Sequence, residues 1–293
     1  MKLFRGRQGA EAAAGRTSAP AAGPDNGPVV VLVDEHTTDL DALEWAAAEA
    51  AARGSELRIV YTFRFPRLLD PVGNPTVDLQ ARESAEDVVT VAVRRARRIA
   101  PDLRIRTHVF PGRQVTALVT EARESDKALI VLGHGRRSRL ERTLTRRLAR
   151  STTASLAVIG LSKRGAVGPS AGRVVVGVDD NGGPPAALGF AFRAARRRGT
   201  GLTVVHAAAS SRRRSVEDAV QIWRMAYPEV HVQWDFTRGP IDSAVLAESP
   251  AAALTVLGAD RHGWLRRVVR GSASYNVLRL ARGPVVMVGA ATV

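Results

Sequence analysis

Two stretches decide how this chain folds: Val29-Val30-Val31-Leu32-Val33-Asp34 and Val174-Val175-Val176-Gly177-Val178-Asp179. Each is a short, mostly β-branched run that closes on a carboxylate. An apolar run of this length, without alternation and followed by helix-type spacing, reads as a strand buried on both faces. The two stretches stand 145 residues apart, and the likeness continues through Ala42/Ala187, Leu43/Leu188, Ala46/Ala191, Ala50/Ala195, Arg53/Arg198, Gly54/Gly199, Leu57/Leu202 and Val60/Val205. A repeat of this period means two copies of one architecture.

Working outward, Leu43, Ala46, Ala47 and Ala50 recur at helical spacing, with Thr37, Thr38 or Asp39 available as N-cap and Gly54 placed to end the helix. The pattern then predicts strands at 57–61, 103–110, 128–132 and 156–159, alternating with helices at 83–100, 114–124 and 140–150. In the second copy, strands are expected near Val174, Leu202, Val230, Ala253 and Val285, with Pro184 and Pro185 in the first turn of the first helix. Continuous apolar strands separated by helices call for a parallel sheet covered on both faces. The fold class is therefore α/β: two tandem doubly wound domains, Rossmann-like with flavodoxin-like order, each on a five-stranded parallel sheet. Residues 1–28, rich in Ala, Gly and Pro, form a disordered lead-in. Domain 1 covers 29–160, a glycine-rich linker 161–173, and domain 2 covers 174–293.

The chain of 293 residues carries no cysteine, which removes disulfides, thiolate nucleophiles and thiolate metal sites together. No apolar stretch reaches the ~20 residues of a membrane span, and the N-terminus lacks the apolar segment of a secretory signal, so a cytoplasmic protein is expected. The net charge of +15 invites a polyanion, yet only Lys2, Lys127 and Lys163 are lysines among 43 basic residues. So skewed an arginine usage is what GC-rich coding alone produces, and nucleic-acid binding is the weaker reading.

Ligands of such sheets bind at the carboxyl ends of the strands where the winding reverses. Two loops per copy meet that requirement: one opens at Asp34 or Asp179, the other at Gly133 or Gly258. The latter runs Gly258-Ala259-Asp260-Arg261-His262-Gly263-Trp264-Leu265-Arg266-Arg267-Val268-Val269-Arg270-Gly271-Ser272.

These features together resemble the universal stress protein family over nearly the whole span from Val29 to Gly289, as two tandem domains. The resemblance rests on the opening "VVVLVD" or "VVVGVD", the following Ala-rich helix, the mid-domain Gly112 or Gly239-Pro240, and the "VLG" of Val131 to Gly133 or Val256 to Gly258. Gly271-Ser272 and the closing Gly283-Pro284-Val285-Val286-Met287-Val288 add to it. Members that bind ATP carry Gly-x2-Gly-x9-Gly-Ser/Thr. The second copy matches at Gly258, Gly271 and Ser272 and departs at Arg261. The resemblance implies a stress-response regulatory protein binding ATP or a related adenine nucleotide, with Mg2+ accompanying it, chiefly in the second copy.

The residue types suit that chemistry. Asp179 accepts hydrogen bonds from a nucleoside, Gly258 lets the backbone lie close to it, and Gly271-Ser272 presents amides at a helix start, an anion site. Arg261 adds a cation there while crowding the loop. Asp34 and Gly133 make a weaker counterpart in the first copy, where Gly135 falls one position early and the Gly-Ser pair is missing. Arg136, Arg137, Arg139, Arg142, Arg146, Arg147 and Arg150 stand in its place. With Leu140, Leu144 and Leu148 every four residues, they read as the solvated face of an amphipathic helix.

His36 and His134 read as solvated loop residues rather than metal ligands, Trp45 and Phe190 as core, and Trp264 as a cover for the site or a partner contact. No triad order, Walker lysine or paired acids support catalysis. A binding module is expected over an enzyme, slow ATP hydrolysis or autophosphorylation staying open through the resemblance. The alternatives are a tandem domain acting through protein contacts and an arginine-rich nucleic-acid binder. The resemblance further implies that the two copies pair through their final strands as an intramolecular pseudo-dimer, with a homodimer as a further option and no membrane partner.

Overall fold

The computed structural model describes residues 27–33, 40–63, 75–133, 139–160, 168–178, 185–207, 213–258, 277–278, 281 and 283–289. The first half runs β1 (Val29–Val33), α1 (Leu40–Arg53), β2 (Leu57–Phe63), α2 (Pro75–Ile99), β3 (Ile105–Pro111), α3 (Gln114–Ala122), β4 (Leu129–Gly133), α4 (Arg139–Ser151) and β5 (Ser155–Ile159). The second runs β6 (Val174–Val178), α5 (Pro185–Arg198), β7 (Leu202–Ala207), α6 (Arg213–Ala226), β8 (Val232–Thr237), α7 (Ile241–Glu248), β9 (Leu254–Gly258) and β10 (Pro284–Val288).

Within each half all neighbouring strands are parallel. The strand order β3-β2-β1-β4-β5 in the first half is mirrored by β10-β9-β6-β7-β8 in the second, so both wind outward from their first strand and reverse beside it. This is the order of the Rossmann sheet without its last strand, and it corrects the flavodoxin-like order, in which the first strand lies between the second and third.

The two five-stranded sheets join through the final strands of the copies: β5 and β10 pair antiparallel, Val158 opposite Val285 and Ala157 opposite Val286, giving one ten-stranded sheet. Gly289, next after β10, donates its N–H to Ser155 Oγ at 3.3 Å. Each half would otherwise leave an apolar edge strand open to a stranger, and the pairing closes it.

Side-chain alternation sorts the strands onto two faces. Val29, Val31 and Val33 join Val174, Val176 and Val178 in one core with α1, α2, α5 and α6. Val30 and Val175 join the other, with α3, α4 and α7. Both cores contain residues of both halves, so the halves are packed through and not merely tethered. Gly54 and Gly199 end α1 and α5 at φ 64° and 60°, the left-handed geometry in which glycine carries no steric penalty.

α1 and α5 meet across the seam. Glu49, buried on α1, receives hydrogen bonds from Arg53 at 2.7 Å, Arg197 at 3.2 Å and Arg198 at 2.6 Å. Burial pushes its carboxyl up, but Arg53, Arg198 and Arg197 outweigh that and hold it at about 2, below the ordinary 4.5. The guanidinium of Arg53 also lies 5.0 Å from the Phe190 ring, and that of Arg198 lies 6.0 Å from Trp45. Phe190 is a buried core residue and Trp45 is half-buried against the same core, and each is also a platform for the other half's arginine.

Candidate functional site

The winding reverses between β1 and β4 and again between β6 and β9, and these two points carry the glycines picked out in the sequence. Val31 lies opposite Val131, so extending the parallel register brings Gly133 alongside Val33, the residue before Asp34. Gly177 lies opposite Leu257, which brings Gly258 alongside Val178, the residue before Asp179. Both glycines are half-buried and close their strands, Gly133 against Ile159 and Gly258 against Val288. The second copy thus sets a backbone without a side chain beside the carboxyl end of its first strand, the place where this topology opens a crevice.

Gly258 and Gly133 are the two predicted site residues that fall within the described chain. Asp34, Asp179, Arg261, Gly271 and Ser272 lie outside the described residues, as do His36, His134, Trp264 and the lead-in over 1–26. At the far ends of the edge strands, Gly112 follows β3 at φ 118° and donates its N–H to Phe63 O at 2.9 Å, binding the start of α3 to the end of β2. In the second half Gly239 N–H meets Thr237 Oγ1 at 3.1 Å, ahead of Pro240 and α7.

The amphipathic reading of the arginine-rich segment holds over its described side chains. Leu148 is buried and Leu144 packs against the core, while Arg146, Arg147 and Arg150 are exposed. Among the described residues, no group of three or more His, Asp or Glu gathers to hold a metal ion, and no helix is long and apolar enough to cross a membrane.

One residue at the crevice end escaped the sequence reading. His206 lies on β7 directly opposite Val178, and its ring Nδ1 meets the Val178 carbonyl at 2.7 Å. The side chain is 0% exposed, and its Nε2 is buried without a hydrogen-bond partner among the described residues. The signal was present in the sequence: a polar residue interrupts the apolar run of β7, where the first copy has Tyr61.

Residues 26–160 match the sequence model of the Universal stress protein family. A universal stress protein of Mycobacterium tuberculosis (strain CDC 1551 / Oshkosh) is 30% identical over 252 residues, covering 80% of this chain and 88% of that protein. The chain belongs to the universal stress protein family. A universal stress protein of Mycobacterium bovis is 26% identical over 284 residues, covering 88% of this chain and 96% of its own length. Among solved structures, a universal stress protein from Archaeoglobus fulgidus DSM 4304 superposes with a TM-score of 0.70 at 16% identity over 89% of this chain and 96% of that one. A further structure from Pseudomonas aeruginosa UCBPP-PA14 gives 0.55 at 16% over 91% and 94%. These likenesses extend the universal stress protein fold across both halves, including the second, which lies beyond the family-model match.

Proposed function

We propose that this universal stress protein is a regulatory binding module that takes ATP or a related adenine nucleotide at the switch point of its second half. The observation that carries the reading is the placement of Gly258 at the end of β9 alongside Val178, the residue that precedes Asp179 in the sequence. The spacing from Gly258 to Gly271-Ser272 follows the family's nucleotide-binding pattern. In this reading Asp179 accepts from the nucleoside, Gly258 permits close approach, Gly271 and Ser272 offer amides to the phosphates, and Arg261 adds a charge-assisted contact. Mg2+ enters as the phosphates' counter-ion.

The first half serves as a structural or regulatory partner, joined to the second through β5 and β10, and the domain limits near 29–160 and 174–293 follow the same repeat. A cytoplasmic location and the absence of catalysis belong to this reading. So does a homodimer built on surfaces other than the β5–β10 edges, which are already paired within the chain.

The test is to denature the purified full-length protein and identify released small molecules by mass spectrometry, then to titrate the emptied, refolded protein with ATP by calorimetry. An adenine nucleotide released, or saturable ATP binding at one site per chain, is expected. Absence of both overturns the reading in favour of a module acting through protein contacts.

A further inference from the structure

The positive charge of this chain is not evenly spread. Thirteen of the 43 basic residues stand in two stretches, 136–150 and 259–282, which between them hold only two acids, Glu141 and Asp260. Those 39 residues carry +11 of the net +15. Coding bias trades lysine for arginine but does not thin out aspartate and glutamate, so it does not account for this distribution.

The fold gives both stretches corresponding places. Each connects the last two strands of its half, β4 to β5 and β9 to β10, and these four strands adjoin as β4-β5-β10-β9 at the middle of the sheet. Leu148 and Ala149 of α4 anchor the first stretch in the core that also holds Val277 and Leu278 of the second, on one face of the sheet at the β5–β10 seam. α4 turns its arginines away from that core. Arg146, Arg147 and Arg150 are exposed, and none of them pairs with an acid among the described residues. The acids of the neighbouring α3 are already engaged, Glu121 with Arg58 and His108, and Glu124, just past its end, with Arg58. On the opposite face the seam does the reverse and gathers Arg53, Arg197 and Arg198 around Glu49.

Spacing and chemistry narrow the anion. Arg146 and Arg150 lie about one turn apart, so three cations fall within about 6 Å of the helix axis. Duplex nucleic acid carries a charge every ~1.7 Å of its axis, whereas an extended acidic peptide turns a side chain to one face only every ~6.6 Å. A lipid surface takes up a helix through its apolar side, and α4 has already given Leu144 and Leu148 to the core. Arg139–Ser151 contains no aromatic residue on which an unpaired base could stack. Arginine's planar fork fits phosphate oxygens two at a time.

We propose that the exposed face of α4, beside the β5–β10 seam, docks duplex nucleic acid through its phosphate backbone without reading base sequence. The role is independent of nucleotide binding in the second half.

The experiment titrates the full-length protein into short labelled DNA duplexes of two unrelated sequences, by fluorescence anisotropy between 50 and 200 mM salt. One variant combines Arg146→Ala, Arg147→Ala and Arg150→Ala. A charge-matched control combines Arg94→Ala, Arg97→Ala and Arg98→Ala, exposed residues of α2, which packs on the other face of the sheet. Wild type is expected to bind both sequences alike. The slope of log affinity against log salt should become shallower by about 3 in the α4 variant and by less than about 1 in the control. Raising the salt over that range then costs wild type about 40 times more affinity than it costs the α4 variant.

An unchanged slope in the α4 variant, an equal change in the α2 control, or no duplex binding at 50 mM salt overturns the proposal. So does tighter binding of polyglutamate, or of vesicles of anionic phospholipid, than of duplex at equal charge concentration. Thermal unfolding reports whether the triple variant folds. Should it not fold, the three single substitutions decide, each expected to make the slope shallower by about 1. None of these outcomes bears on ATP, whose titration stands or falls separately.

Discussion

Glu49 on α1 accepts a 2.6 Å hydrogen bond from Arg198 on α5, and this contact ties together helices from opposite halves of the chain. The repeat makes Arg53 the counterpart of Arg198 and Trp45 the counterpart of Phe190, so each arginine stacks toward the other half's aromatic ring. Glu49 has no such counterpart, because Ala194 stands in its place. A single carboxylate therefore serves guanidinium groups from both halves, and the seam is symmetric in its packing but not in its charge. Removing that carboxylate leaves buried cations facing one another. Glu49→Ala is expected to destabilise the protein by about 3 kcal/mol, the usual cost of breaking a buried ion pair from one side. Urea denaturation measures it, and a loss below about 1 kcal/mol, the range of a surface pair, would refute the role.

The same residue sets an acid response. Its carboxyl is held at about 2 in the folded chain against 4.5 ordinarily, so the folded state favours the ionised form. That stabilisation is fully present above pH 4.5 and is lost as the pH falls toward 2. It amounts to about 3 kcal/mol. Glu49→Gln lacks this dependence, so the stability gap between wild type and variant should be widest at pH 6 and close as the pH drops through 4.5 to 2. A gap that stays constant over that range would contradict the assignment.

Gly189 on α5 faces Trp223 on α6, and a Cβ there would stand 2.5 Å from the ring's Cη2. In the first half the corresponding residue is Glu44, which pairs with Arg95 at 2.6 Å, so the two copies solve the same helix contact in opposite ways. Trp223 is 5% exposed and stacks with Phe192 and Tyr227, leaving it little room to move. Gly189→Ala should cost about 1 to 3 kcal/mol through overpacking, despite the better helix propensity of alanine. An unchanged or raised melting temperature would show that the aromatic cluster yields.

The β5–β10 pairing and the shared cores predict the outcome of cutting the chain between 161 and 173. The nicked protein should elute as one species at native pH, because separation exposes two apolar edge strands and both faces of the core. Two halves eluting separately would mean that the seam does not hold without the connection.

Much of this fold was legible in the sequence, because burial on both faces leaves uninterrupted apolar runs. The strands at Val29 and Val174 and the helix-ending Gly54 and Gly199 fall where the pattern puts them. Boundaries moved where polarity hid the pattern. α2 begins at Pro75 rather than near residue 83, since its first turns carry no apolar period and proline is itself suited to a helix start. β8 begins at Val232, with Val230 buried in the turn before it. The buried charges that α1 and α5 share across the seam were not legible. Glu49 in an alanine-rich helix reads as an ordinary solvated charge, and its partners Arg197 and Arg198 lie 148 and 149 residues away. Of the candidate site, the spacing picks out Gly133 and Gly258, which the sheet places at the two switch points, while the buried His206 beside Val178 depends on a strand neighbour that only the sheet order supplies.

Under the proposed function, the choice between the halves turns on the loop sequences and not on the strands. Both copies place a glycine beside the end of their first strand, and both continue into an aspartate, so the strand framework alone predicts two sites. The loop sequences break this equivalence. After Gly258 comes the spacing that ends in Gly271-Ser272, whereas after Gly133 the corresponding stretch gives way to an arginine-rich helix with exposed Arg146, Arg147 and Arg150. A phosphate chain needs several backbone amides at a helix start, and only the second copy has the small residues to present them. Calorimetry should therefore give one ATP per chain. Asp179→Ala should weaken binding by about tenfold through loss of a charged acceptor, Gly271→Trp should abolish it by filling the phosphate space, and Asp34→Ala should leave it unchanged. Arg261 stands where the family pattern has its second glycine. If its side chain obstructs the loop, wild-type affinity will be low and Arg261→Gly will raise it; if its charge assists the phosphates, the same change will lower it. Two equivalent sites, or sensitivity to Asp34 but not Asp179, would reverse the assignment of the halves.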